Sequence, residues 1–282
     1  MITSGFIKEP KDPRDYGICM AYEDSDDIII PDSYQTSFQP PYEKQVAGNC
    51  VAQTLANIME VMYHNKLGIH EDFSVGFIYG NRKAGQYKGE GMYGSFACKN
   101  LCEDGDVKSA VYDDPSEMDW IMHDVERFKS ENPDWINKTY KPRRYIRTNS
   151  KTEVKKFILK YDIPVMAICE VNDFWIGGGL HAMALYGWNG DTAIMQNSWG
   201  ENHKARIVEL PFKEIEEYWL IVPYSLPGFS DVPESHWAYR DIIKCAERAI
   251  LQGYPDGTFK PNNEMTRAEL CAMVYRLIKE KN

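Results

Sequence analysis

Apolar residues at Val51, Leu55, Ile58 and Met62 recur with a period near 3.6, and neither glycine nor proline interrupts the run before Gly68. That stripe predicts an amphipathic helix beginning at or near Cys50. A short helix is expected over 72–79, then a glycine-rich stretch over 85–94 and a helix over 95–103 that stops at Asp104-Gly105. Asp114-Pro115 supplies an N-cap and a first-turn proline for a helix to about Phe128, and Ser150-Lys151-Thr152-Glu153 is a capping box for one to Leu159. From residue 164 the pattern changes. Residues 164–171, 180–188, 192–198, 205–210 and 218–223 carry strand-like apolar runs, with Asn189-Gly190 as a two-residue hairpin turn. Helical material ahead of a strand-rich half predicts an α+β domain. Pro10, Pro13 and the acidic run 23–27 make residues 1–29 an irregular extension.

Composition narrows the classes. At 282 residues the chain holds one large domain and a small one, and 43% hydrophobic residues suffice for an ordinary core. No run of about 18 apolar residues is present, which argues against a membrane span. Lys and Arg number 32 against 42 Asp and Glu, a net charge of −10 without a basic cluster, so nucleic acid is not an expected partner. The start, MITSGFIKEPKDPRDYG, lacks a basic region followed by an apolar core, so no secretory signal peptide is expected and synthesis is read as cytoplasmic. Seven cysteines form an odd set. Cys98 and Cys102 are four apart with no second ligand pair nearby, so reduced thiols are expected, with no metal.

Candidate chemistry begins with Cys50. A thiol at a helix amino terminus meets the unpaired N–H groups and the positive end of the macrodipole, which favour a thiolate. Gln45, across the small Ala47-Gly48, offers an amide donor. A nucleophilic thiol needs a base and a group that orients the base, and His181 and Asn197 fit those roles. Pairing around a turn centred at 189.5 sets position 198 opposite His181, one residue from Asn197. The other histidines (64, 70, 123, 203, 236) are read as surface or structural.

With Cys50, Gly177-Gly178-Gly179-Leu180-His181 and Gln196-Asn197-Ser198-Trp199-Gly200 in view, residues 30–224 resemble the papain-like cysteine peptidases. Asn-Ser-Trp-Gly matches the family's asparagine motif, and residues 28–34 resemble the segment that opens its mature domain. Three positions depart: Val51 stands where the family has tryptophan, Ala47 where it has a disulfide cysteine, and Lys44 where it has glutamine. The resemblance implies Cys50 as nucleophile, His181 as base, Asn197 as orienting residue, Gln45 as oxyanion donor and Trp199 as a cover over the His–Asn bond. It also implies a glycine-rich stretch lining the cleft and no cofactor. The amino-terminal extension is short for the family's inhibitory pro-segment, so restraint is expected elsewhere, if at all.

After a linker at 225–228, residues 229–282 resemble an S-layer homology module, a small all-α unit. Phe229-Ser230-Asp231-Val232, His236-Trp237-Ala238, residues 253–259 and Thr266-Arg267-Ala268-Glu269 occur in the family's order. Thr266 and Glu269 form a capping box. The resemblance implies acidic cell-wall polysaccharide as ligand, bound by Arg267 with Asp231, Trp237 and Gly253. One module of about 55 residues gains strength through self-assembly or other contacts. The expectation is a cysteine endopeptidase directed to a bacterial wall or virion after release. Its rivals are an inactive papain-fold wall binder and a cysteine acyltransferase.

Overall fold

The computed structural model describes residues 5–8, 28–45, 47–68, 70–112, 121–171, 179–200 and 205–223, and then 229, 231–233, 235–247, 250–251, 253–254 and 258–280. The acidic run 23–27, Asp114-Pro115, Gly177, Gly178, the linker 225–228 and the Asp256-Gly257 turn lie outside them. Two compact units divide the chain, Met1–Pro223 and Tyr224–Asn282.

The first unit runs β1 (Phe6–Ile7), β2 (Ser33–Gln35), α1 (Cys50–Leu67), α2 (Val75–Gly80), β3 (Tyr87–Lys88), β4 (Gly91–Tyr93), α3 (Gly94–Glu103) and α4 (Ile121–Glu131). It continues with β5 (Arg144–Thr148), α5 (Lys151–Tyr161), β6 (Val165–Val171), β7 (Gly179–Asn189), β8 (Thr192–Gln196), β9 (Ile207–Pro211) and β10 (Ile215–Val222). The apolar stripe of α1 packs on β7 and β6, and its other faces meet α2 and α3. Cys50, Val51, Leu55, Ile58 and Val61 are wholly buried as a result. The helix stops at Gly68, whose φ of 66° suits glycine and whose N–H bonds the His64 carbonyl. Ser74 caps α2 by accepting the Phe77 N–H at 3.0 Å. At α5 the predicted box is half formed. Ser150 accepts the Glu153 N–H, whereas Thr148 Oγ1 takes the Ser150 N–H at 3.0 Å.

Strand order through the sheet is β3-β4-β1-β7-β6-β10-β5, with β2 and β8 also on β7 and β9 on β8. The 11-residue β7 is long enough to serve different partners along its length. Between β5 and β10, Arg147 is buried with Glu217: its Nε donates to Glu217 Oε2 at 2.9 Å, and Trp219 Nε1 donates to Oε1 at 3.1 Å.

Two expectations are corrected. Residues 6–7 of the expected irregular extension form β1, because their backbone pairs on both sides, parallel with Met92 and Tyr93 of β4 and antiparallel with Leu180 of β7. The hairpin turn is Gly190-Asp191, one residue later than expected, since Asn189 still pairs with Thr192. Gly190 adopts φ 58°, a left-handed conformation that glycine supplies without strain.

In the second unit, α6 (Tyr239–Glu247) brings Ile242 and Ile243 into a core with Phe229 and Val232, and α7 (Arg267–Glu280) comes later in the chain. The α7 capping box is reciprocal. Thr266 Oγ1 accepts the Glu269 N–H at 3.2 Å, and Glu269 Oε2 accepts the Thr266 N–H at 2.7 Å.

Candidate active site

Cys50 is the first residue of α1, after Asn49, whose side chain makes no capping bond. The β7 strand begins two residues before His181 and sets Ala182 beside the helix start, so that the Ala182 N–H leans on the Cys50 thiol. The β8 strand ends at Gln196, and Asn197 follows it. A register shift between Leu185 and Gly187 moves the lower half of the hairpin by one residue, so Ala184 pairs with Gln196. His181 and Asn197 are therefore diagonal neighbours rather than directly opposed, within reach for long side chains. His181 Nε2 lies 2.9 Å from Asn197 Oδ1.

The surrounding bonds assign the tautomer. Asn197 Nδ2 donates to the Ala205 carbonyl at 3.0 Å, and its Oδ1 accepts the Ser198 N–H at 2.8 Å. With the amide so oriented, Oδ1 accepts from His181, and the proton of the neutral ring is on Nε2. Nδ1 then carries the lone pair. It is buried and has no hydrogen-bond partner. The Trp199 ring lies 5.2 Å from the imidazole, tilted by 36°, and is 8% exposed.

Burial governs the charges. It pushes the Cys50 thiol up from its usual range, and the N–H groups of Ala182, Gly5 and Val51 only oppose that shift. It drives His181 down to about 4, against the upward pull of the Asn197 bond. Burial outweighs the helix-terminus effect expected from sequence, and both groups are neutral at pH 7.

Gln45 is buried on the loop before α1. Its Nε2 donates to the Ala47 carbonyl at 2.7 Å, and its Oε1 accepts the Ser198 hydroxyl at 2.5 Å. The glycine-rich stretch forms the β3–β4 hairpin, whose edge meets β1. Sequence reasoning missed one buried acid. Glu60, on α1, lies 3.0 Å from His70 Nε2 and close to Glu43 and Asp72, and burial with these carboxylates pushes it up to about 10. A lone glutamate within the apolar run 55–62 was the available signal. The six described cysteines are all free thiols.

In the second unit Arg267 opens α7 and is exposed, as is Trp237 at 89%. Asp231 turns inward: its carboxylate accepts the Phe259 and Lys260 N–H groups at 2.8 and 2.7 Å. Gly253 sits where a Cβ would come within 2.1 Å of the Phe229 ring. No described helix is long and apolar enough to cross a membrane.

The first unit has the papain-like cysteine protease fold. Xylellain, a cysteine protease from Xylella fastidiosa, superposes with a TM-score of 0.57 at 18% identity, covering 78% of this chain and 96% of that one. Procathepsin B of Trypanosoma congolense gives 0.56 at 13% identity, covering 79% and 86%. Residues 228–271 match the S-layer homology domain. Over 61 residues, 22% of its length, the chain is 39% identical to outer membrane protein SlpA of Thermus thermophilus, and over 52 residues, 18%, it is 40% identical to a cellulosome-anchoring protein of Acetivibrio thermocellus. The chain covers 7% and 12% of those two proteins.

Proposed function

We propose that the first unit is a cysteine endopeptidase and that the S-layer homology domain directs it to acidic polysaccharide of a bacterial cell wall, at the cell surface or on a virion. The observation that carries the reading is the His181–Asn197 bond at 2.9 Å, which leaves a buried, unpartnered Nδ1 on the residue next to the Ala182 N–H that leans on the Cys50 thiol. Nδ1 takes the thiol proton, and the sulfur attacks the scissile carbonyl. The same imidazolium then protonates the leaving amine, and water resolves the thioester. The Cys50 N–H and the Gln45 amide stabilise the oxyanion, at about 3–4 kcal/mol per donor in other proteases. Asn197 holds the ring, and Trp199 keeps water from the bond. No cofactor takes part in these steps.

On the wall side, an exposed guanidinium at the start of α7 suits a carboxylate or other acidic group of a sugar chain. Exposed Trp237 offers a stacking face. Asp231 and Gly253 act by shaping the turn. The cellulosome-anchoring and outer-membrane names of the related proteins favour a surface location for this module.

A paired experiment tests both halves. Cys50→Ala should lower peptide hydrolysis about 10⁶-fold, as nucleophile loss does elsewhere, while sedimentation with purified wall polysaccharide is unchanged. Arg267→Gln should do the reverse and weaken sedimentation. Hydrolysis that survives Cys50→Ala overturns the peptidase reading. An amine-dependent product in place of hydrolysis would identify an acyltransferase.

A further inference from the structure

Besides its apolar stripe, α1 carries a polar one. Gln53, Asn57, Glu60 and His64 follow one another at steps of four, three and four residues, which sets them on one helical face. Gln53 and Glu60 are nonetheless buried, at 8% and 2% exposure, and buried polar groups need partners. Asn57 Oδ1 accepts the Tyr186 hydroxyl. Glu60 Oε2 lies 3.0 Å from His70 Nε2, and the Phe73 N–H also reaches its carboxyl.

Two further observations meet at Glu43, on the loop before α1. The first is a cluster. Ligand oxygens of Glu43, Glu60 and Asp72 all lie within 4.8 Å of one another. Oxygens on opposite sides of a calcium ion, each at about 2.4 Å, are about 4.8 Å apart, so one ion can touch all three carboxylates. Carboxylates this close repel one another unless protons or a cation intervene. The second is a recess of about 270 Å³, partly open to solvent, which Glu43 lines together with Gln53, Thr54, Asn57 and Gln196. Gln196 is 6% exposed, and its Nε2 donates to the Pro40 and Pro41 carbonyls at 3.3 and 3.4 Å. Its Oε1 is buried without a hydrogen-bond partner, an acceptor left for a cation or its water on the wall facing Glu43.

We propose that Glu43, Glu60 and Asp72, with the Gln196 amide oxygen in the adjoining recess, form a calcium site that clamps the loop before α1 to the helix and to the end of β8. An all-oxygen set suits a hard cation, whereas zinc favours nitrogen and sulfur. His70 then serves as an outer partner, its Nε2–H holding the Glu60 carboxylate in place. The expectation of no metal comes from cysteine spacing, to which an all-oxygen set is invisible. The clamp bears on the active site through the backbone. The Gly200 N–H donates to the Glu43 carbonyl at 2.9 Å, and the Gln45 N–H to the Ser198 carbonyl at 2.7 Å. An ion on Glu43 therefore steadies the segment that carries Gln45 against the residues that follow Asn197.

The full chain, stripped with EDTA and returned to chelator-free buffer at pH 7, is titrated with calcium chloride by calorimetry. Binding should fall between about 10⁻⁶ and 10⁻⁴ M, and millimolar calcium should raise the melting temperature of the first unit by several degrees. Magnesium should do less, since it demands a stricter geometry. Asp72→Asn changes an exposed side chain and should weaken calcium binding about tenfold or more, as damage to other metal sites does. Glu60→Gln should lose the calcium-dependent rise in melting temperature while being no less stable than wild type in EDTA. Gln196→Met should give a smaller loss of affinity than Asp72→Asn. Cys50→Ala should bind calcium as wild type does, so the site stands or falls apart from the peptidase reading. Binding of zinc without calcium, or calcium affinity unchanged in both Asp72→Asn and Glu60→Gln, overturns the proposal.

Discussion

Two helices of this chain begin with a residue to which we assign a role, and their surroundings are opposite. Cys50 starts α1 without a side-chain cap and with no exposure, whereas Arg267 starts α7 behind a reciprocal capping box and is exposed. A helix amino terminus is the same local device in both places, a cluster of unpaired N–H groups. What differs is water. At α7 the local device acts unmodified, and the guanidinium projects beside it into solvent. At α1 the tertiary structure overrides it, and burial holds the thiol protonated and His181 neutral. Local sequence selects the position, but packing decides which protonation state occupies it.

The contrast predicts large effects on the sealed side and small ones on the open side. The largest is at Arg147. Its replacement by Met leaves the Glu217 carboxylate buried without its partner, and breaking a buried pair in this way costs about 3–5 kcal/mol. Denaturant unfolding of the first unit should report that loss, while the S-layer homology unit melts as before. An intermediate, pH-dependent effect is expected at Glu60. Burial first, and then Glu43, Asp72 and Asp106, raise it despite His70 at 3.0 Å, and the folded carboxyl titrates at about 10 against an ordinary 4.5. The folded state then keeps a proton that the unfolded chain loses above 4.5. The resulting stability is complete below pH 4.5 and is lost as pH rises toward 10. Glu60→Gln should match wild type in melting temperature near pH 4.5 and exceed it by several degrees at pH 8. A constant gap across that range would show that the carboxyl titrates normally. The smallest effect is at Thr266, where replacement by Ala removes one cap of an exposed helix and should cost roughly 1 kcal/mol, confined to the second unit.

The two sides also differ in how much of them could be read from the residues. The α7 box is complete within four residues, and Thr266 and Glu269 bond as their spacing predicts. The period of Val51, Leu55, Ile58 and Met62 likewise locates α1 and its first residue. The pairing of His181 with Asn197 is legible from the hairpin, although the turn falls at Gly190-Asp191 and a bulge near Tyr186 makes the neighbours diagonal. Those shifts are decided by sheet packing, which a mirror rule about one turn does not contain. Nothing local marks β1. Residues 6 and 7 have a strand's character only because β4 and β7, 84 or more positions away, present open edges to them. The strand β5 was missed for a related reason, since Arg144 and Arg147 break its apolar run and Arg147 is tolerated only because Glu217 meets it across the sheet.

The β1 strand is two residues long and pairs with β4 on one side and β7 on the other. The continuity of the sheet at that point therefore hangs on two peptide units, and a change in residues 6 and 7 reaches strands that lie far from them along the chain.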